Sequence, residues 1–143
     1  MNKNIEAILN TNNLCVLCTE HEGYPYCSLM TFTLGKDNKT LYMVAIDDSK
    51  KYKNIALNPN VSILMDNRQS LGKASKNEII SITFEGYNEA IDQEKSEEGK
   101  KILLEKHPDL YEIIQNPKCV LLSIRLKAYK LLMGPTNSEE GHI

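Results

Sequence analysis

Six short segments of β-type sequence, separated mostly by short polar turns, constrain the fold of this chain more than any other feature. They lie at residues 14–19, 26–34, 40–47, 61–66, 79–91 and 118–133. Alternation of apolar and polar residues is clear in "SIRLKAYKL" of the last segment, and "HEGYP", "GKDNK" and "NPN" are turn sequences. Short connections favour antiparallel pairing. The pattern therefore predicts a mainly β fold, a β-barrel of six antiparallel strands with flanking helices.

Helical spacing of apolar residues occurs in three further regions of the chain. Residues 3–11 carry one apolar face, and residues 50–57 form a short helix before "NPN". Residues 92–115 form a longer helical region, which Pro108 should divide into two helices. The polar loop at residues 67–78 is long for a hairpin, and loops of this length are often functional or mobile.

Length and composition favour one domain without a nucleic-acid or membrane surface. A chain of 143 residues, 41% apolar and 25% charged, can form one core, expected at residues 1–133 with a flexible tail at 134–143. Seventeen basic and nineteen acidic residues give a formal charge of -2, without the basic excess of nucleic-acid-binding proteins. No apolar run approaches the ~20 residues of a membrane span. The first residues lack signal-peptide features, so we expect a cytoplasmic location.

The four cysteines, at positions 15, 18, 27 and 119, raise the question of a metal or redox site. Cys15 and Cys18 form a C-x-x-C pattern, but side chains three apart on a strand point to opposite faces, so no metal site is predicted. If the turn centres between Glu22 and Gly23, Cys18 and Cys27 face each other across a hairpin. A disulfide is then geometrically possible, although a reducing cytoplasm favours two free thiols.

The segment "DDSKKYK", residues 47–53, is the strongest candidate for a binding site. A helix start has unpaired N–H groups and a partial positive charge, so it binds phosphate readily. Ser49 is a natural N-cap, and its hydroxyl with Lys50 and Lys51 would strengthen such a site. Two cations in a first turn oppose the helix dipole, by some tenths of a kcal/mol each. A phosphate would relieve this cost, whereas without a ligand the segment would be a capped, solvated helix start.

The segment S-K-K-Y-K-N-I-x-x-N-P-x-V-S, at residues 49–62, resembles the flavin-phosphate segment of the pyridoxamine 5′-phosphate oxidase-like, FMN-binding split-barrel superfamily. The preceding "CVLCTEHEGYPYCSLMTFTL" and "LYMVAI" are similar to the same family, and the resemblance covers residues 3–91. It implies a six-stranded antiparallel split barrel. It also implies a homodimer that binds FMN at the subunit interface and acts on a small-molecule substrate.

Carried over by position, the resemblance implies which residues contact FMN. The phosphate end would be held by Ser49, Lys50 and Lys51, flanked by Val44 and Ala45. The isoalloxazine ring would lie along the second strand, at Ser28, Leu29, Met30 and Thr31. Its polar edge would meet Asn67 and Arg68 of the partner subunit. The residue types of Met30, Val44 and Ala45 would equally suit a barrel core, and Arg68 would equally suit a solvated loop.

The resemblance implies an FMN-dependent oxidoreductase that passes hydride or electrons from a reduced nicotinamide to a small acceptor. A non-catalytic flavin carrier, redox sensor or electron-transfer module is the alternative, and a dimer without flavin is a third interpretation. The second strand lacks the basic residues of true pyridoxamine phosphate oxidases, and no histidine lies between His21 and His107, unlike in nitroimidazole-reductase-like relatives. We expect both of these histidines at the surface. His142 keeps a haem-degrading activity open. Haem or a deazaflavin in place of FMN also stays open, and no catalytic residue is identified.

Overall fold

Eight antiparallel strands form one sheet in the computed structural model of the chain, which describes residues 2–68 and 79–143. The strands are β1 (Leu14–His21), β2 (Tyr24–Thr31), β3 (Thr33–Leu34), β4 (Thr40–Ile46), β5 (Asn60–Asp66), β6 (Ile80–Asn88), β7 (Cys119–Met133) and β8 (Asn137–His142). Their order is β2-β1-β5-β6-β7-β4-β3, with β8 paired to β7 beside this path. The predicted mainly β, antiparallel split-barrel class is confirmed.

The sheet curls because its two end strands, β2 and β3, are consecutive in the chain. Only Phe32 separates them. Its N–H donates to the Asn13 carbonyl at 3.1 Å, and its side chain is fully buried. The chain is paired with β1 up to Thr31 and with β4 from Thr33 onward. Phe32 therefore links the two ends of the sheet. The predicted strand at residues 26–34 is thus two strands, because one straight strand cannot pair at both ends of the sheet.

The C-terminal segment adds the eighth strand, so the predicted count of six strands is wrong. Gly134, at a φ of +68°, reverses the chain, and β8 then pairs antiparallel with the second half of β7. Tyr129 donates a hydrogen bond to Glu139 across this pair at 3.1 Å. The structure here differs from the flexible tail expected at residues 134–143. The polar sequence of the tail does not predict a strand. A strand forms because the edge of β7 supplies hydrogen-bond partners for its backbone.

Four α-helices flank the sheet among the described residues. They are α1 (Lys3–Thr11), α2 (Lys50–Leu57), α3 (Gln93–Lys106) and α4 (Tyr111–Gln115), with a 3-10 turn at Pro108–Leu110. The predicted division of the helical region at Pro108 is confirmed. Most of the polar loop predicted at residues 67–78 lies outside the described residues. No helix in the described part of the chain is both long enough and apolar enough to span a membrane.

Helix α2 is held on the β1–β2 hairpin by polar contacts at its middle and its end. Asn54 Nδ2 donates to Thr19 Oγ1 at 3.1 Å, and both residues are almost fully buried. Asn58, which follows the helix, donates to Glu20 at 2.7 Å. Hydrogen bonds from the Gly23 N–H and from Asn58 lower the pKa of the Glu20 carboxyl. These contacts fix the helix so that its start lies over β2.

His107 is a buried residue, contrary to the surface position expected from the sequence. It is 7% exposed, and its Nε2 lies 2.8 Å from the Phe32 carbonyl oxygen. The nitrogen at this distance from a carbonyl is the protonated one, because a carbonyl only accepts hydrogen bonds. His107 thus satisfies the backbone at the point where the chain passes from β2 to β3. His21 lies at the surface as expected, with its side chain 46% exposed.

Candidate functional site

Ser49 caps the first turn of α2, as the sequence predicts. Its Oγ accepts a hydrogen bond from the Tyr52 N–H at 3.4 Å and donates one to the Ile46 carbonyl at 2.7 Å. Its own N–H donates to the Ile46 carbonyl at 3.0 Å. A helix start has four N–H groups without an intrahelical acceptor. Since those of Ser49 and Tyr52 are satisfied here, the N–H groups of Lys50 and Lys51 are the two that remain for a ligand.

The first turn of α2 contains no acidic residue. Asp47 and Asp48 precede it, but the Asp48 carboxylate lies 3.7 Å from Lys118 Nζ. That carboxylate is therefore shared with a third lysine and neutralises Lys50 and Lys51 less than the sequence suggests. Two ammonium groups, two N–H donors and the positive end of the helix dipole together form a site that favours an anion.

Both lysines of this turn extend over β2. Lys51 Nζ lies 3.4 Å from the Met30 sulfur, and Lys50 Nζ lies 4.8 Å from the centre of the Tyr26 ring. Residues 26, 28 and 30 share one face of the strand, so Ser28 lies between these two contacts. The structure thus brings together Ser28, Met30, Lys50 and Lys51. Sequence reasoning missed Tyr26, which the alternation of β2 would have placed beside Ser28.

The remaining edge of β2 offers backbone groups to a ligand. β1 pairs with one edge, and no strand in the described part of the chain pairs with the other. The two-residue turn makes His21 and Tyr24 the closing, hydrogen-bonded pair, and alternate residues beyond it exchange hydrogen bonds with β1. The backbone groups of Leu29 and Thr31 consequently point to the free edge. The side chain of Leu29 is 69% exposed.

Val44 and Ala45 precede the helix start on β4 and lie in the two cores. Ala45 is 2% exposed in the main core of the barrel, whereas Val44, 7% exposed, packs in a second cluster with Leu103 of α3. Met30 is likewise buried in the main core, at 4% exposure. These positions support the strands on which the site is built. Any ligand contact by Val44 or Ala45 stays a prediction.

Asn67 and Arg68 lie at the end of β5. Asn67 Oδ1 accepts a hydrogen bond from the Ile80 N–H at 2.8 Å, which fixes the start of β6 against β5. Arg68 Nε lies 3.1 Å from the Asp66 carboxylate, and its side chain is 78% exposed. No hydrogen bond or ion pair observed for Arg68 reaches the start of α2. Their assignment to a flavin held by another subunit stays a prediction.

Arg68 instead borders an apolar surface on the outward side of the barrel. Leu14, Val16, Leu29 and Leu64, from β1, β2 and β5, line a cavity of about 310 Å³ together with Arg68. Val16 pairs with Leu29 on one side and with Leu64 on the other, so the three side chains form a row. Leu29 and Leu64 are 69% and 41% exposed. We call these four leucine and valine residues the apolar patch, a feature typical of interaction surfaces.

A second cavity, of about 430 Å³, borders the other side of the helix start. Five of its six lining residues are polar or charged, and the six are His21, Asp48, Lys50, Lys53, Asn54 and Leu57. Lys50 therefore lies between the ring of Tyr26 and an open, largely basic surface. The sequence signal for this cavity is the spacing of Lys50, Lys53 and Leu57, which puts them on one side of the helix.

Sequence comparison relates this chain to one known family. The sequence model of the pyridoxamine 5′-phosphate oxidase family matches residues 1–131, nearly the whole chain. Among curated proteins, none matches the chain in sequence. The match includes the helix start, β2 and the end of β5, so every residue of the candidate site lies within it.

Several solved structures share the fold at low sequence identity. The heme binding protein from Mycobacterium smegmatis superposes with a TM-score of 0.83 at 17% identity, over 94% of this chain and 55% of that one. The nimc/nima family protein from Clostridium acetobutylicum gives 0.74 at 19% identity, over 99% and 91%. General Stress Protein 26 from Bacillus anthracis gives 0.70 at 21% identity, over 99% and 97%. The chain thus spans about half of the first protein and nearly all of the other two.

Proposed function

The chain belongs to the pyridoxamine 5′-phosphate oxidase family, and on this premise we propose that it is an FMN-binding, flavin-dependent oxidoreductase that acts with a reduced nicotinamide on a small acceptor. The main support for this proposal is the arrangement of donors at the start of α2. Two lysines and two available backbone N–H groups converge there without an acidic residue in the turn. The flavin phosphate is the anion that this arrangement would bind.

The chemistry of the donor set fits FMN at both ends. A phosphate dianion matches the charges of Lys50 and Lys51 and the helix dipole, while Ser49 caps the turn that presents them. The apolar ring with its polar pyrimidine end matches the free edge of β2, where the backbone groups of Leu29 and Thr31 lie beside the exposed side chain of Leu29. Lys51 lies between the two regions, because its Nζ contacts Met30 of β2. One continuous surface from the helix start to β2 would therefore bind the whole cofactor.

FMN, when bound, would supply the redox chemistry, accepting a hydride or electrons and passing them on. The residues of this chain would bind and orient it. Lys50 and Lys51 would fix the phosphate. Backbone N–H groups at the free edge of β2 would orient the ring, and donors near its pyrimidine end would stabilise the negative charge of the reduced form. The side chains described here would thus position the cofactor, and no proton-transfer residue is assigned.

We further propose that the protein is a homodimer, with the apolar patch at the contact. Burying an exposed apolar row against a second copy is the usual way to remove it from water. We expect strands within residues 41–66 to take part in the interface, and of these β5 contributes Leu64 to the patch. β4 has partners at both edges, β7 and β3, and is mostly buried. Sedimentation at micromolar concentration should give a dimer, and a monomer would contradict this part of the proposal.

The test of the proposal is a visible absorbance spectrum of the purified protein before and after addition of FMN. Bound flavin should shift the absorbance bands and quench the flavin fluorescence. NADH or NADPH should then bleach the bound flavin, and a small acceptor should restore it. Retained flavin that is reduced only slowly, whether or not an acceptor is present, would favour the carrier, sensor or electron-transfer alternative. Failure to bind any flavin would overturn the proposal.

Haem is a second candidate ligand, favoured by one cavity and one structural neighbour. His142 borders a cavity of about 530 Å³ with Tyr129 and Lys130, where a histidine could serve as an iron ligand and a lysine could pair with a propionate. The similar protein from Mycobacterium smegmatis is described as a heme binding protein. Titration with haemin should produce a Soret band that His142→Ala abolishes, if this candidate holds.

The cytoplasmic location stays a prediction from the sequence.

A further inference from the structure

Cys18 and Cys27 lie opposite each other on the outward face of the β1–β2 hairpin. Their sulfur atoms are 3.3 Å apart, and both residues are free thiols. The predicted pairing of these two residues across the hairpin is confirmed by the strand register. The separation is too long for a covalent bond and short enough for closure by small side-chain rotations, since a disulfide has an S–S length of about 2.05 Å.

The backbone at this pair suits a disulfide. The turn places Glu22 and Gly23 at φ of 50° and 85°, as in a two-residue turn with both central residues left-handed. The closing pair of such a hairpin is hydrogen-bonded, so alternation makes Cys18 and Cys27 a non-hydrogen-bonded pair. Residues in these pairs have Cα atoms about 4.5 Å apart, at the near end of the disulfide range of about 4.4–6.8 Å. The hairpin therefore needs no backbone rearrangement to accept a bridge.

The four cysteines differ in how easily a reagent can reach them. Cys27 is exposed and Cys18 is half-buried, whereas Cys15 and Cys119 are buried, at 2% and 7% exposure. Burial, helped by the contact with Cys27, raises the pKa of the Cys18 thiol to about 11. Burial raises the pKa of Cys15 to about 12. Because the thiolate is the nucleophile, a reaction should begin at the exposed Cys27.

We propose that Cys18 and Cys27 form a redox-active dithiol that closes into a cross-strand disulfide by exchange with a small-molecule disulfide. The Cys27 thiolate attacks one sulfur of the small disulfide, forming a mixed disulfide and releasing one small thiol. Cys18 then loses its proton and attacks Cys27 Sγ, which forms the bridge and releases the second small thiol. Two protein thiols lose two electrons and two protons, and one small disulfide becomes two thiols.

This dithiol goes beyond the proposed flavin function and does not depend on it. The next pair along the hairpin is Thr19 and Tyr26, the two residues that contact Asn54 and Lys50 of α2. A bridge would thus lock the register of the strands directly beneath the helix start. In a reducing cell the resting form is the dithiol, and a rise in small disulfides would close it.

The test uses the full chain, native and ligand-free, treated with oxidised glutathione and then with an alkylating agent. Intact mass should show loss of two hydrogen atoms and two fewer alkylated cysteines than in the untreated protein. Cleavage after Glu20 or Glu22 separates Cys18 from Cys27, and fragmentation of the covalently joined peptides that places the link at Cys18 rather than at Cys15 would identify the bridge. Dithiothreitol should reverse both changes.

Single variants establish the order of the two steps. Cys18→Ser should stop at the mixed disulfide and retain one glutathionyl group per chain. Cys27→Ser should react at least roughly ten times more slowly, because the remaining thiol is half-buried with a raised pKa. Circular dichroism would establish that both variants are folded. Unchanged alkylation of Cys18 and Cys27 after treatment of the folded protein would overturn the proposal. A bridge between two chains, or one that includes Cys15, would overturn it equally.

Discussion

The first turns of helices α2 and α3 have opposite charge, although both begin with a side-chain cap. α3 is capped by Asp92, whose carboxylate accepts from the Lys95 N–H at 2.8 Å, and Glu94 adds a second negative charge. α2 is capped by Ser49 and continues with Lys50 and Lys51. The helix dipole is stabilised by acidic residues at this end and destabilised by basic ones. α3 thus follows the rule for stability, and α2 departs from it.

The surroundings of Lys50 and Lys51 do not explain why two cations lie in the first turn of α2. Neither helix start is deeply buried. Lys51 contacts a methionine sulfur, and Lys50 lies over an aromatic ring. Neither lysine of this turn forms an observed ion pair with an acidic side chain, within the residues that the structure describes. We expect a bound anion to stabilise the start of α2, because it would offset the repulsion between the two cations and the helix dipole. The start of α3 carries no such pair of cations and serves as the control.

The largest expected effect is on flavin binding by Lys51→Ala. Loss of one charge-assisted hydrogen bond to the phosphate should weaken FMN binding by roughly 1.5–3 kcal/mol, about one to two orders of magnitude in Kd. The matched control is Lys95→Ala in α3, which removes an exposed lysine from the corresponding turn and should leave Kd unchanged. Fluorescence titration with FMN measures both. Equal affinities of the two variants would mean that α2 is only a solvated helix start.

The second prediction concerns the contact that holds α2 on the hairpin. Asn54→Ala removes the donor to Thr19 and should lower the free energy of unfolding by about 1–3 kcal/mol, the cost of leaving a buried polar group unpaired. FMN affinity should fall with it, because the helix start loses its fixed position over β2. Urea unfolding and FMN titration measure the two effects.

A double-mutant cycle controls for simple destabilisation. Thr19→Val removes the acceptor at nearly constant volume, and the double variant with Asn54→Ala should be less destabilised than the sum of the two single variants. Strict additivity would show that the 3.1 Å contact contributes nothing to the placement of α2.

The strands and helices that the sequence predicts are determined by local sequence signals. The features that it misses depend on contacts with residues distant in the chain. Turn residues and apolar alternation delimit β1, β4 and β5, and Pro108 ends a helix wherever it occurs. Phe32 has the composition of a strand residue, so nothing local indicates that the sheet closes there. β8 is polar and forms because β7 offers it an edge. Both errors involve partners distant in the sequence, which no local pattern encodes.

The candidate site likewise has features that local sequence predicts and features that depend on tertiary packing. Ser49 as an N-cap follows from its position before a helix, and the structure confirms it. The approach of Lys50 to Tyr26 and of Lys51 to Met30 depends on how α2 packs across β2, which spacing alone cannot give. The burial of His107 likewise depends on the Phe32 carbonyl, 75 positions away in the chain. Residue types indicated the candidate site, and tertiary packing determined which of these residues meet.

The third prediction separates capping from ligand binding. Ser49→Ala and Asp92→Ala each remove a cap and should each cost about 0.5–2 kcal/mol of stability. Only Ser49→Ala should also weaken FMN binding. Ser49→Asp is the sharper variant, since it gives α2 the cap of α3. It should keep the stability of the ligand-free protein and still weaken FMN binding by charge repulsion. Stronger or unchanged FMN binding by this variant would contradict the phosphate assignment.

The smallest expected effect is on the stability of the ligand-free protein, and it has opposite signs at the two helices. Lys51→Ala should raise the free energy of unfolding by about 0.3–1 kcal/mol because it removes a cation from the positive end of the dipole, and Glu94→Ala should lower it by a similar amount. Urea unfolding at low salt, with unchanged m values, measures both. A residue that raises stability when removed and lowers affinity when removed is retained for its ligand. If Lys51→Ala instead destabilises the protein, the lysine serves to cover Met30 with its aliphatic stem, and the contrast with α3 is one of packing.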